Sequence, residues 1–137
     1  MYKVVKEIRP EEVEMKKTFA DTMEEMAAKD DAVVYFDCDV INSIGMVGFG
    51  EKYPDRCIDC GIQEANMIGV AAGASAVGLK PFTHTFGPFA ARRVIDQVYI
   101  SAAYAKLNVR MIGSDAGVTA SLSCKACRFS NMNSSPV

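Results

Sequence analysis

Glu64 stands at the mouth of the stretch DCGIQEANMIGVAAGASAVG, where the residues that follow are uncharged and many are glycine or alanine. A carboxyl group set among apolar neighbours is an acid–base device, because desolvation disfavours the anion and the group can share its proton with a ligand. The position has a second reading: an acid in the first turn of a helix also faces the positive end of the helix dipole and can act as a cap only. Two more carboxylates, Asp37 and Asp39, close the apolar run AVVYFDCDV, and Phe86 and Phe89 sit together in HTFGPFAARR. In an ordinary core the same rings pack only against their neighbours. The sole histidine, His84, lies on the Phe86 segment and is expected to be a buried structural residue with its hydrogen bonds satisfied.

The five cysteines are an odd number in a chain without an export signal, so reduced thiols are expected. Cys57 and Cys60, and Cys124 and Cys127, have the spacing of metal-binding pairs. Cys57 and Cys60 fall on a segment that reads as a strand, where residues three apart face opposite sides and cannot share a metal. Buried small thiols are therefore the expectation, and no metal site is assigned to this chain.

The elements that must position these groups follow from periodicity. Pro10 suits a first helical turn, and EEVEMKKTFADTMEEMAAKDD carries Phe19, Met23, Met26 and Ala27 at helical spacing. AVVYFDCDV reads as a buried parallel strand whose carboxyl end opens onto a loop, INSIGMVGFGEKYPD. A short strand RCIDCGI, a small-residue helix EANMIGVAAGASAVG, a strand KPFTHTF, a long helix GPFAARRVIDQVYISAAYAKL and a strand in NVRMIGSDAG complete the series. The alternation predicts an α/β fold, a parallel sheet flanked by helices, with ligands expected beyond the carboxyl ends of the strands. A helix with small residues on several faces is expected to pack closely against another chain or domain.

At this point the residues carry a resemblance. EKYPDRCIDCGIQEANMIGVAAGASAVGLKPFTHTFGPFAARR resembles the pyrimidine-binding domain of the transketolase family of thiamine diphosphate enzymes, in the form of a separately encoded C-terminal section. The Tyr-Pro-Asp-Arg lead-in, the Gly-x-x-Glu junction and the aromatic strand end with its arginine carry the likeness together. It implies that Glu64 hydrogen-bonds the N1′ nitrogen of the cofactor's aminopyrimidine, keeping its own proton available to the ring, as the catalytic residue. It also implies that Phe86 and Phe89 pack against that ring and that Asp39 and Val40 stand beside it. Ser43 and Lys16 fall where relatives contact a sugar phosphate. Arg92 stands where relatives often carry an aromatic residue, so the resemblance does not assign that wall of the pocket. The expected cofactor is thiamine diphosphate, with Mg2+ on a partner domain and not on this chain.

The family likeness runs to about Ala120, giving an expected domain over residues 1–120 that is incomplete at its C-terminus. SLSCKACRFSNMNSSPV resembles nothing in the family, and residues 121–137 are expected to be an atypical, disordered tail. The domain that binds the diphosphate is not visible in this sequence, so an obligatory partner, the chain carrying the transketolase N-terminal section, is implied. The assembly would be a dimer or larger oligomer, homo- or hetero-oligomeric. The reading that results is a transferase component, inactive as an isolated chain, that moves a two-carbon ketol unit between sugar phosphates. Two others stay open: a domain like that of 1-deoxy-xylulose-5-phosphate synthase, to which the pair Asp96 and Gln97 also conforms, and a catalytically inert binding module or gene fragment. Fifteen basic against seventeen acidic residues, without a basic block, argue against nucleic acid. MYKVVKEIRPEEVEMKK lacks a secretory pattern and MIGVAAGASAVGL is too short to span a bilayer, so a cytoplasmic protein is expected.

Overall fold

The computed structural model of the chain describes residues 12–116. The expected tail 121–137, with Cys124 and Cys127, and the last residues of the expected 1–120 domain lie outside them. Helix α1 (Met15–Lys29) leads into strand β1 (Val33–Asp37), every residue of which is buried. That burial is the consequence of a central place in the sheet: β1 pairs in parallel with β2 (Cys57–Asp59) on one side and with β3 (Lys80–Phe86) on the other. Strand β4 (Arg110–Ser114) adds to β3, again in parallel, for the order β2-β1-β3-β4.

Successive side chains of β1 point to opposite faces, and the core divides accordingly. Val33 and Tyr35 pack with Met23 and Ala27 of α1 and with Ile44, Met46 and Phe49. Val34 and Phe36 pack with Met67 and Ala71 of helix α4 (Glu64–Ala76). Cys57 joins the first cluster and Cys60 the second, so the two thiols do lie on opposite faces. Among the described residues no group of three His, Cys, Asp or Glu side chains is placed to hold a metal ion. Nor is any helix among them long and apolar enough to cross a membrane.

Two segments depart from the sequence reading. The stretch read as a loop holds helices α2 (Ile41–Ile44) and α3 (Val47–Lys52). Its glycines are poor helix formers, but burial of Ile44, Met46 and Phe49 against Tyr35 overrides propensity. The expected long regular helix is instead a π-helical turn (Phe89–Arg93), the short α5 (Ile95–Gln97) and a second π-helical stretch (Val98–Ala103). Such wide turns are frequent at functional sites. The turn into this segment lies hard against β4: a Cβ on Gly113 would come within 3.0 Å of the Gly87 Cα. Two facing glycines thus let the Phe86–Phe89 turn reach the sheet edge.

Candidate functional site

The carboxyl ends of all four strands lie at one edge, and acids there build the loops before any ligand is considered. Asp37, fully buried, accepts hydrogen bonds from the Tyr35 hydroxyl (2.9 Å) and the Val40 backbone N–H (2.6 Å), and lies 2.8 Å from His84 Nδ1. Asp59 Oδ1 accepts from the backbone N–H groups of both Asp39 (2.9 Å) and Gly61 (2.8 Å), tying the loop after β1 to the loop after β2. Both tied residues are left-handed: Asp39 has φ +60° and Gly61 φ +69°. Aspartate is one of the few side chains that tolerate that region, and glycine enters it without penalty. The result aims Asp39 and Val40 at the start of α4, where Glu64 sits.

Asp39, Val40, Glu64, Phe86 and Phe89 line one cavity of about 120 Å³, together with Cys38, Ile62 and Thr85. Glu64 is 3% exposed. The Phe86 and Phe89 rings are tilted 54° to one another with centroids 6.4 Å apart. Burial, with a smaller contribution from the nearby carboxylates, pushes the Cys38 thiol up to about 12, against one backbone hydrogen bond that favours the thiolate, so the protonated thiol is the form that lines the cavity at neutral pH. The expected setting of Glu64 needs one correction. An arginine opposes it: Arg93 Nη1 donates to Oε1 and to Oε2, each at 2.8 Å. The guanidinium also lies over the Phe89 ring, 3.8 Å from its centroid. Thr85 Oγ1 is 3.5 Å from Glu64 Oε1. Arg92 is exposed and is not a wall of the cavity.

Lys16 and Ser43 are placed elsewhere. They share a second, open cavity of about 420 Å³ with Asn42 and the outer face of α1. Both donate to Asp115, from Lys16 Nζ at 3.3 Å and from Ser43 Oγ at 3.2 Å. Burial works against the Asp115 anion, but hydrogen bonds from Ser114, Lys16 and Ser43 and the lysine charge hold its carboxyl below the usual range. His84 Nε2 is 2.9 Å from Ser114 Oγ, which lies 3.1 Å from Asp115. A continuous polar chain therefore runs from Asp37 through the buried His84 to the second cavity, which gives the histidine the satisfied structural place expected of it.

A buried acid, two aromatic walls and a parallel sheet with strand order β2-β1-β3-β4 can be set beside known proteins. The profile of the family described as "Transketolase, pyrimidine binding domain" matches residues 11–122. The chain belongs to that family. Its members are parts of thiamine diphosphate-dependent enzymes. The 6-deoxy-6-sulfo-D-fructose transketolase subunit SqwH of Clostridium sp. (strain MSTE9) is 51% identical over 116 residues, covering 85% of this chain and 36% of the relative. A 1-deoxy-D-xylulose-5-phosphate synthase of Clostridium perfringens (strain 13 / Type A) is 37% identical over 101 residues, 74% of this chain and 16% of that protein. A solved structure described as a split gene transketolase, inactive beta4 tetramer, superposes with a TM-score of 0.65 at 35% identity, over 72% of this chain and 33% of its own. The transketolase-like chain thus spans about a third or less of the relatives it matches.

Within this transketolase pyrimidine-binding domain, the sequence reading missed Arg93, Asp59 and Thr85. Arg93 had a usable signal: it follows Phe89 by four residues, the spacing of side chains that meet on one helical face. Asp59 offered only its local turn contact with Gly61, two residues on, whereas its tie to Asp39 and that of Thr85 to Glu64 span 20 and 21 residues and leave no local signal.

Proposed function

We propose that this chain supplies the pyrimidine half of a thiamine diphosphate site in a split transketolase, which transfers a two-carbon ketol unit between sugar phosphates. The observation that carries the reading is Glu64, buried at 3% exposure and yet a wall of the cavity that Phe86, Phe89 and Val40 also line. The donor set fits an aminopyrimidine. The cavity, about 120 Å³, is the size of a pocket for a small ring and not for a whole coenzyme. Glu64 would hydrogen-bond the ring nitrogen, the two phenylalanines would flank the ring and shield the carboxylate from water, and Val40 would fill its edge. Asp39, exposed at the rim, would meet the exocyclic side. When bound, thiamine diphosphate supplies the acidic thiazolium carbon on which the ketol unit is carried.

The diphosphate and its Mg2+ would be held by a partner chain with the function of a transketolase N-terminal section. The exposed apolar residues Val70, Val77, Tyr99, Ile100 and Tyr104 offer that partner, or a second copy, a face to cover. Lys16 and Ser43 act as sugar-phosphate contacts in this reading only if Asp115 gives way, because its carboxylate takes both donors. The protein would work in the cytoplasm. A second reading, a 1-deoxy-xylulose-5-phosphate synthase domain, is favoured by the 37% identical relative.

The test is to mix the purified chain with the neighbouring gene's product, thiamine diphosphate and Mg2+, and to assay both ketol transfer and formation of 1-deoxy-xylulose 5-phosphate. Activity that disappears in Glu64→Ala and Glu64→Gln supports the proposal, and the product formed chooses between the two readings. No turnover with any partner would leave an inert binding module.

A further inference from the structure

We propose that Asp115 is a specificity-determining residue whose carboxylate is itself the anion between Lys16 and Ser43, so that the cavity on the outer face of α1 takes an uncharged, hydroxyl-bearing end of a sugar and turns a phosphate away. The inference rests on the ketol-transfer reading and narrows it: a sugar seated here is not phosphorylated at the end it brings.

The groups stand where a parallel sheet binds ligands, beyond the carboxyl ends of its strands. Asp115 follows β4, Ser43 lies in α2 just after β1, and Lys16 comes from the first turn of α1. Asp115 Oδ1 accepts from Lys16 Nζ at 3.3 Å, whereas Oδ2 accepts from Ser43 Oγ at 3.2 Å and from Ser114 Oγ at 3.1 Å. A carboxylate has about four lone-pair positions, so these three donors leave one, on Oδ1. Burial opposes the anion, but the same bonds and the lysine charge hold the carboxyl below its usual range, and it is charged at neutral pH. It can only accept. Lys16 has two further N–H groups beyond the one given to Asp115, and its side chain is 37% exposed. A sugar hydroxyl matches the pair, with its hydrogen to Oδ1 and its lone pairs to Nζ.

A phosphate ester does not match. It brings a charge of about −1.5 to −2 and acceptor oxygens, which would meet Oδ1 as like charges. The lysine charge is already offset by Asp115. The cavity, about 420 Å³, sets Glu14, Asp21 and Glu24 against Lys16 and Lys17 in its lining, an acidic balance before Asp115 is added. Lys17 is itself held by Asp21 at 2.5 Å. The backbone keeps the carboxylate in place: Asp115 has φ +51°, a left-handed conformation that aspartate and asparagine tolerate and most side chains enter at a cost. Asparagine therefore keeps the shape and removes only the charge.

Two measurements test the assignment. In the first, inorganic phosphate is titrated into the full chain at constant ionic strength, with chloride as the reference, and binding is read from the shift of the urea midpoint. Asp115→Asn is expected to bind phosphate roughly tenfold more tightly than the wild type, because one like charge in contact has gone. Asp115→Gly, which also accepts the positive φ, is expected to do the same, and adding Lys16→Gln to Asp115→Asn should abolish the gain. In the second, the chain assembled with the neighbouring gene's product is given D-fructose or D-fructose 6-phosphate as ketol donor. The wild type is expected to show the higher kcat/KM with the unphosphorylated sugar, and Asp115→Asn to lower that preference about tenfold. Phosphate bound as well by the wild type as by both Asp115 variants, or a wild-type preference for the phosphate ester, overturns the proposal. No turnover with either sugar refutes the ketol-transfer reading and removes the sugar from this inference, while the phosphate titration still decides whether Asp115 excludes the anion.

Discussion

Replacing Asp37 with alanine should damage the domain more than any other single polar change at the strand ends, although Asp37 is not a wall of either site cavity. Its carboxylate serves three groups in a fully buried setting: the Tyr35 hydroxyl, His84 Nδ1 and the Val40 backbone N–H, at 2.9, 2.8 and 2.6 Å. An orphaned buried donor costs about 1–3 kcal/mol, and breaking a buried charged network about 3–5 kcal/mol. Water cannot easily replace the lost oxygens, because His84 and Asp37 are fully buried. A loss of roughly 4 kcal/mol for Asp37→Ala follows, a large part of the 5–15 kcal/mol typical of a folded domain. With a urea slope of about 2 kcal/mol/M the midpoint falls by about 2 M. Tyr35→Phe removes only one of the three donors and leaves the carboxylate two partners, so it should cost about 1 kcal/mol. Urea unfolding followed by circular dichroism measures both, and amide exchange at Val40 reports whether the loop has come free. The reasoning fails if Asp37→Ala lies within about 1 kcal/mol of the wild type, or if Tyr35→Phe is equally costly.

Two further outcomes are expected. The Asp115 carboxyl is held below its ordinary value of 3.8, so its contribution to stability is present above that pH and lost as the pH falls through its lowered folded value; Asp115→Asn should flatten the acid limb of the stability–pH curve, and an unchanged limb would contradict the pairing with Lys16 and Ser43. Tyr99 is 66% and Ile100 57% exposed, so the double change Tyr99→Asp, Ile100→Lys should leave the urea midpoint within about 0.5 kcal/mol per site while reducing the mass seen by light scattering, and retention of the wild-type assembly would show that this face is not the one covered.

What could be read from the sequence was set by short-range pattern. The apolar run of β1, the alternation that separates Cys57 from Cys60, and the acid opening α4 are all carried within a few residues, and each stands where periodicity puts it. Helices α2 and α3 escaped because their glycines speak against helix, whereas burial of Ile44, Met46 and Phe49 decides the matter from across the core. The π-helical turn escaped because a residue count cannot distinguish it from an α-helix, and with it went the placement of Arg93 against Glu64. Lys16 and Asp115 meet across 99 residues of chain, which no local spacing discloses. That pairing changes the meaning of Lys16, from a free cation awaiting a phosphate to one already engaged by a carboxylate.

The acids at the sheet edge divide into two kinds, and the division locates the unfinished part of the site. Asp37 and Asp59 turn their oxygens to backbone N–H groups and fix the loops. Glu64 and Asp39 are left to face the cavity. The walls of that cavity come from the strand ends, the loops after them, the first residue of α4 and the π-helical turn, and they include Ile62, 71% exposed although large and apolar. A lone exposed isoleucine means little. Beside a buried acid, a paired arginine and two aromatic walls, it is the exposed apolar residue at the pocket that a second polypeptide closing it would cover. Such closure would remove Ile62 from water and exclude solvent from Glu64 in one event, so cofactor affinity and assembly of the two chains should rise and fall together.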